Sequence, residues 1–250
     1  QLYNVADTLI VGRCLGPDAL AAVGSSYSLM TFLTSILLGL CMGSGVYFSI
    51  LFGSREEEKL RESIFVSFVV VAIATALLTG VVMALTDPIL HALQIQPQIY
   101  DLTRAYVRVV FLGIPFTFLY NYFASLLRAI GNSVVPLVFL GVSAVLNIVL
   151  DLVFVLVLDR GVAGAAEATV ISQAVSAACI ALYAFCKVPK LRPRRSEMKL
   201  RRQTVGRIFS YSFLTCVQQS VMNFGILMIQ GLVNSSGVDV MAAFAAAVKI

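Results

Sequence analysis

Long stretches without a single charge dominate this chain: Ala19 to Ser54, Ser63 to Thr86, Val109 to Leu127, Ala129 to Leu150, Ala168 to Cys186 and Ile208 to Val238. Each is near or above the roughly 18 apolar residues that a bilayer-crossing helix needs. Hydrophobic residues make up 59% of the sequence and charged residues 12%, against about 45–50% and 25% in soluble domains. The fold class this dictates is all-α, a polytopic membrane helix bundle. Adding the apolar start gives seven spans, with an eighth beginning before Ile250. The chain reads as a piece of a longer protein.

The charges that remain are distributed as topology signals. Of eighteen Lys and Arg, thirteen fall in the second, fourth and sixth connections, around Arg55–Arg61, at Arg128, and in Lys187–Arg207. By the positive-inside rule these connections are cytoplasmic, and the turns near Pro17, Pro97 and Arg160 lie outside. The expected location is the inner (plasma) membrane, multi-pass, with the lipid bilayer as the main partner and no nucleic acid. The five cysteines form no Cys-x-x-Cys pair, and His91 is the only histidine. The first fact points to buried small side chains. The second argues against a His-based metal site or a Ser-His hydrolase. No Gly-x-x-x-x-Gly-Lys loop is present, so ATP hydrolysis by that route is not expected.

The spans are expected at Leu20–Phe52, Ile64–Leu85, Asp101–Leu126, Val134–Leu158, Ala163–Cys186 and Ile208–Val233, after a first one ending near Leu15. Pro115 predicts a kink in the fourth. Gly39, Gly43 and Gly45 predict a face on which another helix approaches closely. Ser54 reads as the cap of the third span. Pro88 and Pro97 mark an outward loop, and residues 187–207 read as a solvated basic tether. Asn4 and Gly12 share their spacing with Asn223 and Gly231, and each pair leads towards an Asp and an Ala-rich stretch. With the tether between them, this suggests a repeat of about six helices. The domains are then an amino-terminal lobe over 1–186, a linker over 187–207, and the start of a second lobe over 208–250.

Chemistry concentrates at Asp151, the only charged residue between Ala129 and Leu158. An acid at the centre of a spanning helix costs about 2.5 kcal/mol or more, so it is expected to have a function. Asn147 lies one turn earlier on the same face. Asp7, with Tyr3 one turn before it, repeats the arrangement. Counting back from the expected helix ends places Asp7 and Asp151 at similar depth, roughly 10 to 12 Å in, and Thr169 and Gln173 pass the same level. Two carboxylates that close in a low dielectric do not both ionise readily, so the pair is expected to hold a proton or Na⁺.

Four stretches carry a family resemblance: Tyr3-Asn4-Val5-Ala6-Asp7-Thr8 through Gly24; Arg128-Ala129-Ile130-Gly131-Asn132 closing on Pro136; Asn147 to Asp151; and Gly161 to Ala166 with Ala168-Thr169. In these the chain resembles the multidrug and toxic compound extrusion (MATE) transporters of the polysaccharide-flippase superfamily. The resemblance implies twelve helices in two lobes around a V-shaped cavity. Its DinF-type branch implies a coupling-cation site at Tyr3, Asp7, Asn147, Asp151 and Thr169. NorM-type relatives carry an acid in the seventh helix, where this chain has Gln218 and Gln219. A second-lobe sodium site is therefore not expected.

The function expected is antiport of H⁺ or Na⁺ against a cationic amphipathic compound, without enzymatic catalysis and without a cofactor beyond the coupling ion. Met30, Phe32, Tyr120, Phe123, Gln173 and Gln218 are candidates for the cavity wall, and the full-length protein is expected to be monomeric. Two alternatives remain. A lipid-linked oligosaccharide flippase would hold pyrophosphate with Arg inside the spans, whereas the charges here are mainly acidic. An aspartyl-type membrane enzyme would use Asp7 and Asp151 as a dyad, but the chain lacks a Gly-x-Gly-Asp setting.

Overall fold

The computed structural model describes residues 10–93, 95–192 and 197–235, and among these residues every regular element is helical. Residues 10–14 form the end of α1. The chain reverses at Gly16, whose φ of 88° is open to glycine without steric cost. Pro17 then begins α2 at a position where its missing N–H has no helical partner to lose. The remaining helices are α2 (Pro17–Gly53), α3 (Glu57–Ala84), α4 (Thr86–Ala92), α5 (Tyr100–Ala129), α6 (Val134–Leu152), α7 (Gly161–Lys187) and α8 (Arg202–Ser235). A π-helical turn, Val153–Val157, extends α6, and a 3₁₀ turn, Pro189–Leu191, follows α7. Among the described residues, five helices are long and apolar enough to cross a membrane: α2, α3, α5, α6 with its extension, and α7. The fold is an all-α membrane bundle.

α5 sits at the centre, packed against α2, α3, α6 and α7. It runs unbroken through Pro115. Around Tyr122 the rings of Phe48, Phe68, Phe118 and Phe123 meet edge-to-face or tilted, and the Tyr122 hydroxyl, buried with them, donates to the Ile64 carbonyl at 2.6 Å. The expected close approach is present, shared between two neighbours: Gly39 and Gly43 face α8, and Gly45 faces α5. A Cβ on Gly43 would stand 2.4 Å from Ser212 Cα, one on Gly39 2.8 Å from Cys216 Cα, and one on Gly45 3.2 Å from Ser125 Cβ. α8 therefore lies against α2 with backbone almost touching backbone, and Ser212 Oγ donates across the seam to Leu40 O at 3.1 Å.

Several expectations need correction. Ser54 closes α2 rather than opening α3: its Oγ donates to Ile50 O at 2.9 Å, and Glu56 occupies the cap of the next helix. A serine bonds its own preceding turn as readily as a following one, and Arg55, at φ 58°, turns the chain between them. The presumed loop at Pro88 contains α4. Pro88 falls in its first turn, where backbone N–H groups have no helical acceptors and a proline does no harm. The linker is docked rather than free. Leu191 is buried, and Arg61 of α3 reaches Glu197 with its Nε 2.9 Å from both carboxylate oxygens.

α4 is held at the opposite end from the basic linker. Arg104 of α5 donates to both carboxylate oxygens of Asp87, at 2.6 and 2.8 Å, and Tyr100 donates a third bond at 3.2 Å. These bonds, the Arg104 pair foremost, hold the Asp87 carboxyl below the ordinary carboxylate range. A carboxyl whose folded value is depressed contributes stability above its unfolded value and loses it as pH falls through the folded one. Amide protection of α4 in hydrogen exchange is thus expected to stay level from neutral pH to about pH 4 and to fall below that. In Asp87→Asn it should be weak throughout. Equal protection in the variant would show that the ion pair does not hold α4.

Candidate functional site

α6 turns its apolar residues outward. Val134, Leu137, Val145 and Val157 are all about two-thirds exposed or more, at 67%, 68%, 65% and 74%. The residues of α6 that are buried are Pro136, Asn147 and Asp151. In a soluble helix the apolar face would be inside; here lipid takes that role, and the interior keeps the polar pair. Asp151 is fully buried and Asn147 is 2% exposed. Asn147 Nδ2 donates to Thr169 Oγ1 on α7 at 3.2 Å, and Thr169 in turn donates to Ala165 O at 3.1 Å. The Asn147 amide oxygen is buried with no hydrogen-bond partner among the described residues, so it is an acceptor open to a donor or cation. Three of the expected site residues are therefore in one place. Tyr3 and Asp7 lie outside the described residues, and with them the expected pairing of Asp7 with Asp151.

Directly after Asp151 the helix widens into the π turn. Leu158 N–H donates to Val153 O at 2.9 Å, five residues back. Arg160 N–H then bonds Phe154 O at 2.9 Å, and Gly164 admits that turn, since a Cβ there would lie 3.2 Å from Phe154 O. Such single π turns occur often beside functional residues. Nothing in Val-Phe-Val-Leu-Val signals it. Glu167 of α7 pairs with Arg160 at the turn before that helix.

A cavity of about 790 Å³ opens between α2, α5, α6 and α7, large enough for a drug-sized molecule. Asn147 and Thr169 form part of its wall, as do Met30, Tyr120 and Gln173. The polar groups of the wall bridge the helices: Thr117 Oγ1 to Gln173 Oε1 at 2.8 Å, Tyr120 OH to Pro136 O at 2.8 Å, Ser143 Oγ to Ser172 O at 3.1 Å and Ser176 Oγ to Phe139 O at 3.1 Å. Thr117, Asn121, Ser143 and Ser172 were not anticipated, because a hydroxyl or amide inside a span is usually satisfied by its own helix and leaves no distinctive pattern. Arg128 is the one charged side chain among the described lining residues, and its Nε is held by Ala124 O at 3.1 Å.

Three proposed wall residues are elsewhere. Phe32 is 58% exposed, two residues beyond Met30 and so about 200° around α2 from it. Phe123 is 4% exposed and packs into the ring cluster with Phe68 and Phe185. Gln218 is exposed, two positions beyond the α2-facing Cys216, and again about 200° away.

The comparisons with known proteins agree with this architecture. The chain belongs to the MatE family, whose profile matches residues 1–153. It is 29% identical over 251 residues to the probable multidrug resistance protein YpnP of Bacillus subtilis (strain 168), a match covering 99% of this chain and 55% of YpnP. Over 184 residues it is 33% identical to the probable multidrug resistance protein YoeA of the same strain, covering 70% of this chain and 39% of YoeA. The chain thus spans about half the length of the curated relatives it matches. Among solved structures, MATE in the bent conformation superposes with a TM-score of 0.90 at 25% identity, covering 99% of this chain and 56% of that one. A MOP superfamily transporter from Pyrococcus furiosus Vc1, described as having a binding pocket of reverse polarity that suggests a different function, superposes at 0.89 with 25% identity, covering 99% and 55%. YpnP and YoeA are described as probable multidrug resistance proteins and the Pyrococcus furiosus protein as a transporter, and these descriptions give no support to the dyad enzyme considered above.

Proposed function

We propose that the protein exports cationic amphipathic compounds in exchange for H⁺ or Na⁺, with this chain supplying the amino-terminal lobe, the linker and the start of a second lobe. The observation that carries the reading is the inverted burial of α6, which keeps Asn147 and Asp151 inside while its apolar residues face lipid. A spanning helix retains a buried acid against its insertion cost when the acid has a task. The reading assigns the coupling ion to Asp151, Asn147 and Thr169 together with Tyr3 and Asp7, as in the DinF-type branch.

Ion binding removes negative charge from the α6–α7 interface, the two helices repack, and the compound leaves. One charge moving through 100 mV supplies about 2.3 kcal/mol, enough to bias such a repacking by nearly two orders of magnitude. The cavity offers hydroxyls, amides and the Tyr120 ring, which suit adaptable contact with varied amphipaths. Asp151 sits behind Asn147 rather than in the wall, so attraction of a cation by this lobe acts at a distance. Arg128 is a single guanidinium already bonded to its own helix, which falls short of the basic cluster a pyrophosphate needs. The basic linker is assigned to the cytoplasmic side and the protein to the inner membrane as a monomer.

Ethidium efflux from cells expressing the full-length protein tests the reading. Imposing an inward H⁺ or Na⁺ gradient is expected to accelerate efflux. Efflux that responds to neither gradient would reject antiport.

A further inference from the structure

The basic end of the cavity has a chemistry of its own. Along α5, Asn121 follows Thr117 by one turn and Arg128 follows Asn121 by two, so the three share one face, and all of them line the cavity. Ser133, which opens α6, joins them in the wall at the same end. Arg128 lies in the last turn of α5, where a cation offsets the helix dipole, and its Nε donates to Ala124 O at 3.1 Å. That bond fixes the guanidinium against its own helix. Its terminal nitrogens, Nη1 and Nη2, have no hydrogen-bond or ion-pair partner among the described residues, and the described wall contains no Asp or Glu. Arg128 is exposed, within reach of a ligand in the cavity.

The far end differs. Asn147 stands about 20 Å further along α6 than Ser133, at 1.5 Å per residue. It presents its open amide oxygen there, with the buried Asp151 one turn behind. Between the two ends α6 turns Leu137, Leu140 and Ala144 to the cavity. One end therefore offers a positive donor pair and the other an acceptor backed by an acid. The terminal nitrogens of a guanidinium match the two oxygens of a carboxylate, and such a bidentate pair is among the strongest hydrogen-bonded contacts a side chain makes. One guanidinium suffices for a carboxylate, though not for a pyrophosphate.

We propose that Arg128 is a specificity-determining residue: its terminal nitrogens take the carboxylate of an amphipath at the basic end of the cavity, so the lobe selects compounds that carry a carboxylate besides their positive group. The proposal rests on the export reading and names the substrate class within it. It also gives a task to the stretch Arg128-Ala129-Ile130-Gly131-Asn132. Gly131, at φ 87°, and Asn132, whose Oδ1 accepts from Val135 N–H at 3.2 Å, turn the chain so that the end of α5 and the start of α6 lie together at one end of the cavity.

The test compares tetramethylrhodamine, a zwitterion with a free carboxylate, with tetramethylrhodamine methyl ester, which keeps the positive ring system and lacks that negative charge. Binding of each dye to the purified full-length protein is measured by fluorescence anisotropy. Arg128→Gln is expected to weaken binding of the free acid about tenfold and to change that of the ester by no more than about twofold. Arg128→Lys keeps the charge but not the fork, so it is expected to weaken the acid about threefold, again sparing the ester. It takes the place of Arg128→Gln if that variant fails to accumulate. No binding of the acid by the original protein, unchanged binding of the acid in the variant, or equal loss of acid and ester overturns the assignment. Dye binding needs no ion gradient. Selective loss of the acid in a protein whose efflux ignores H⁺ and Na⁺ upholds the role of Arg128 and rejects antiport, whereas a gradient-driven exporter without that selectivity does the reverse.

Discussion

Asp151→Asn is expected to reduce gradient-driven efflux to the level of cells lacking the transporter, while the protein accumulates in the membrane at least as well as the original. The two halves of that expectation have different origins. The asparagine keeps the size and hydrogen-bonding reach of the aspartate but takes up neither a proton nor the charge that attracts Na⁺, so it cannot alternate between two charge states. Removing an acid from the interior of a spanning helix also removes an insertion cost of about 2.5–3.5 kcal/mol, so folding does not suffer. Asp151 is fully buried beside an Asn147 whose own amide bonds Thr169 on the next helix, which places a change of charge where α6 and α7 meet. Efflux of Asp151→Asn that matches the original under both H⁺ and Na⁺ gradients would remove this residue from the mechanism.

Gly43→Ala is expected to be the most damaging single-methyl change in the bundle. Its Cβ would lie 2.4 Å from Ser212 Cα and 2.6 Å from both Ser212 N and Tyr211 O. All three are backbone atoms of α8 or its carbonyls, which have no rotamer by which to move away. The whole helix must shift, and with it the Ser212–Leu40 bond and the Tyr47–Tyr211 stack. Overpacking of this kind costs about 3 kcal/mol, at the upper end of the usual range, which corresponds to a fall in melting temperature of about 10 °C. Gly80→Ala on α3 is the matched control, because a Cβ there meets nothing within 4 Å and alanine favours the helix. A Gly43→Ala protein as heat-stable as Gly80→Ala would contradict the close α2–α8 seam.

How far the sequence reveals this molecule depends on whether a residue's neighbours leave a mark along the chain. Runs without charge announce the membrane helices directly, because lipid enforces the rule residue by residue. Asp151 and Asn147 stand out for the same reason: they break a rule that their surroundings keep. Gly39 and Gly43 are legible because only a missing side chain permits backbones to approach so closely. The docking of the linker on Arg61 and Glu62 is not legible, since it joins residues more than a hundred positions apart, and a basic run looks the same whether solvated or clamped. The π turn after Asp151 leaves no pattern in five apolar residues. Phe32 and Phe123 illustrate a further limit. Their chemistry suits a drug cavity, but an aromatic in a span serves lipid contact and ring packing equally well, and only the angle around the helix separates the three roles.

The central claim is that the carboxyl of Asp151 is neutralised by an ion in one state and released from it in another. Infrared difference spectroscopy of the purified full-length protein tests it most directly, by following the protonated-carboxyl band as pH is raised or Na⁺ is added. The account predicts that either change removes such a band and that Asp151→Asn lacks the response. Superimposable difference spectra for the original protein and Asp151→Asn, under both changes, would contradict it.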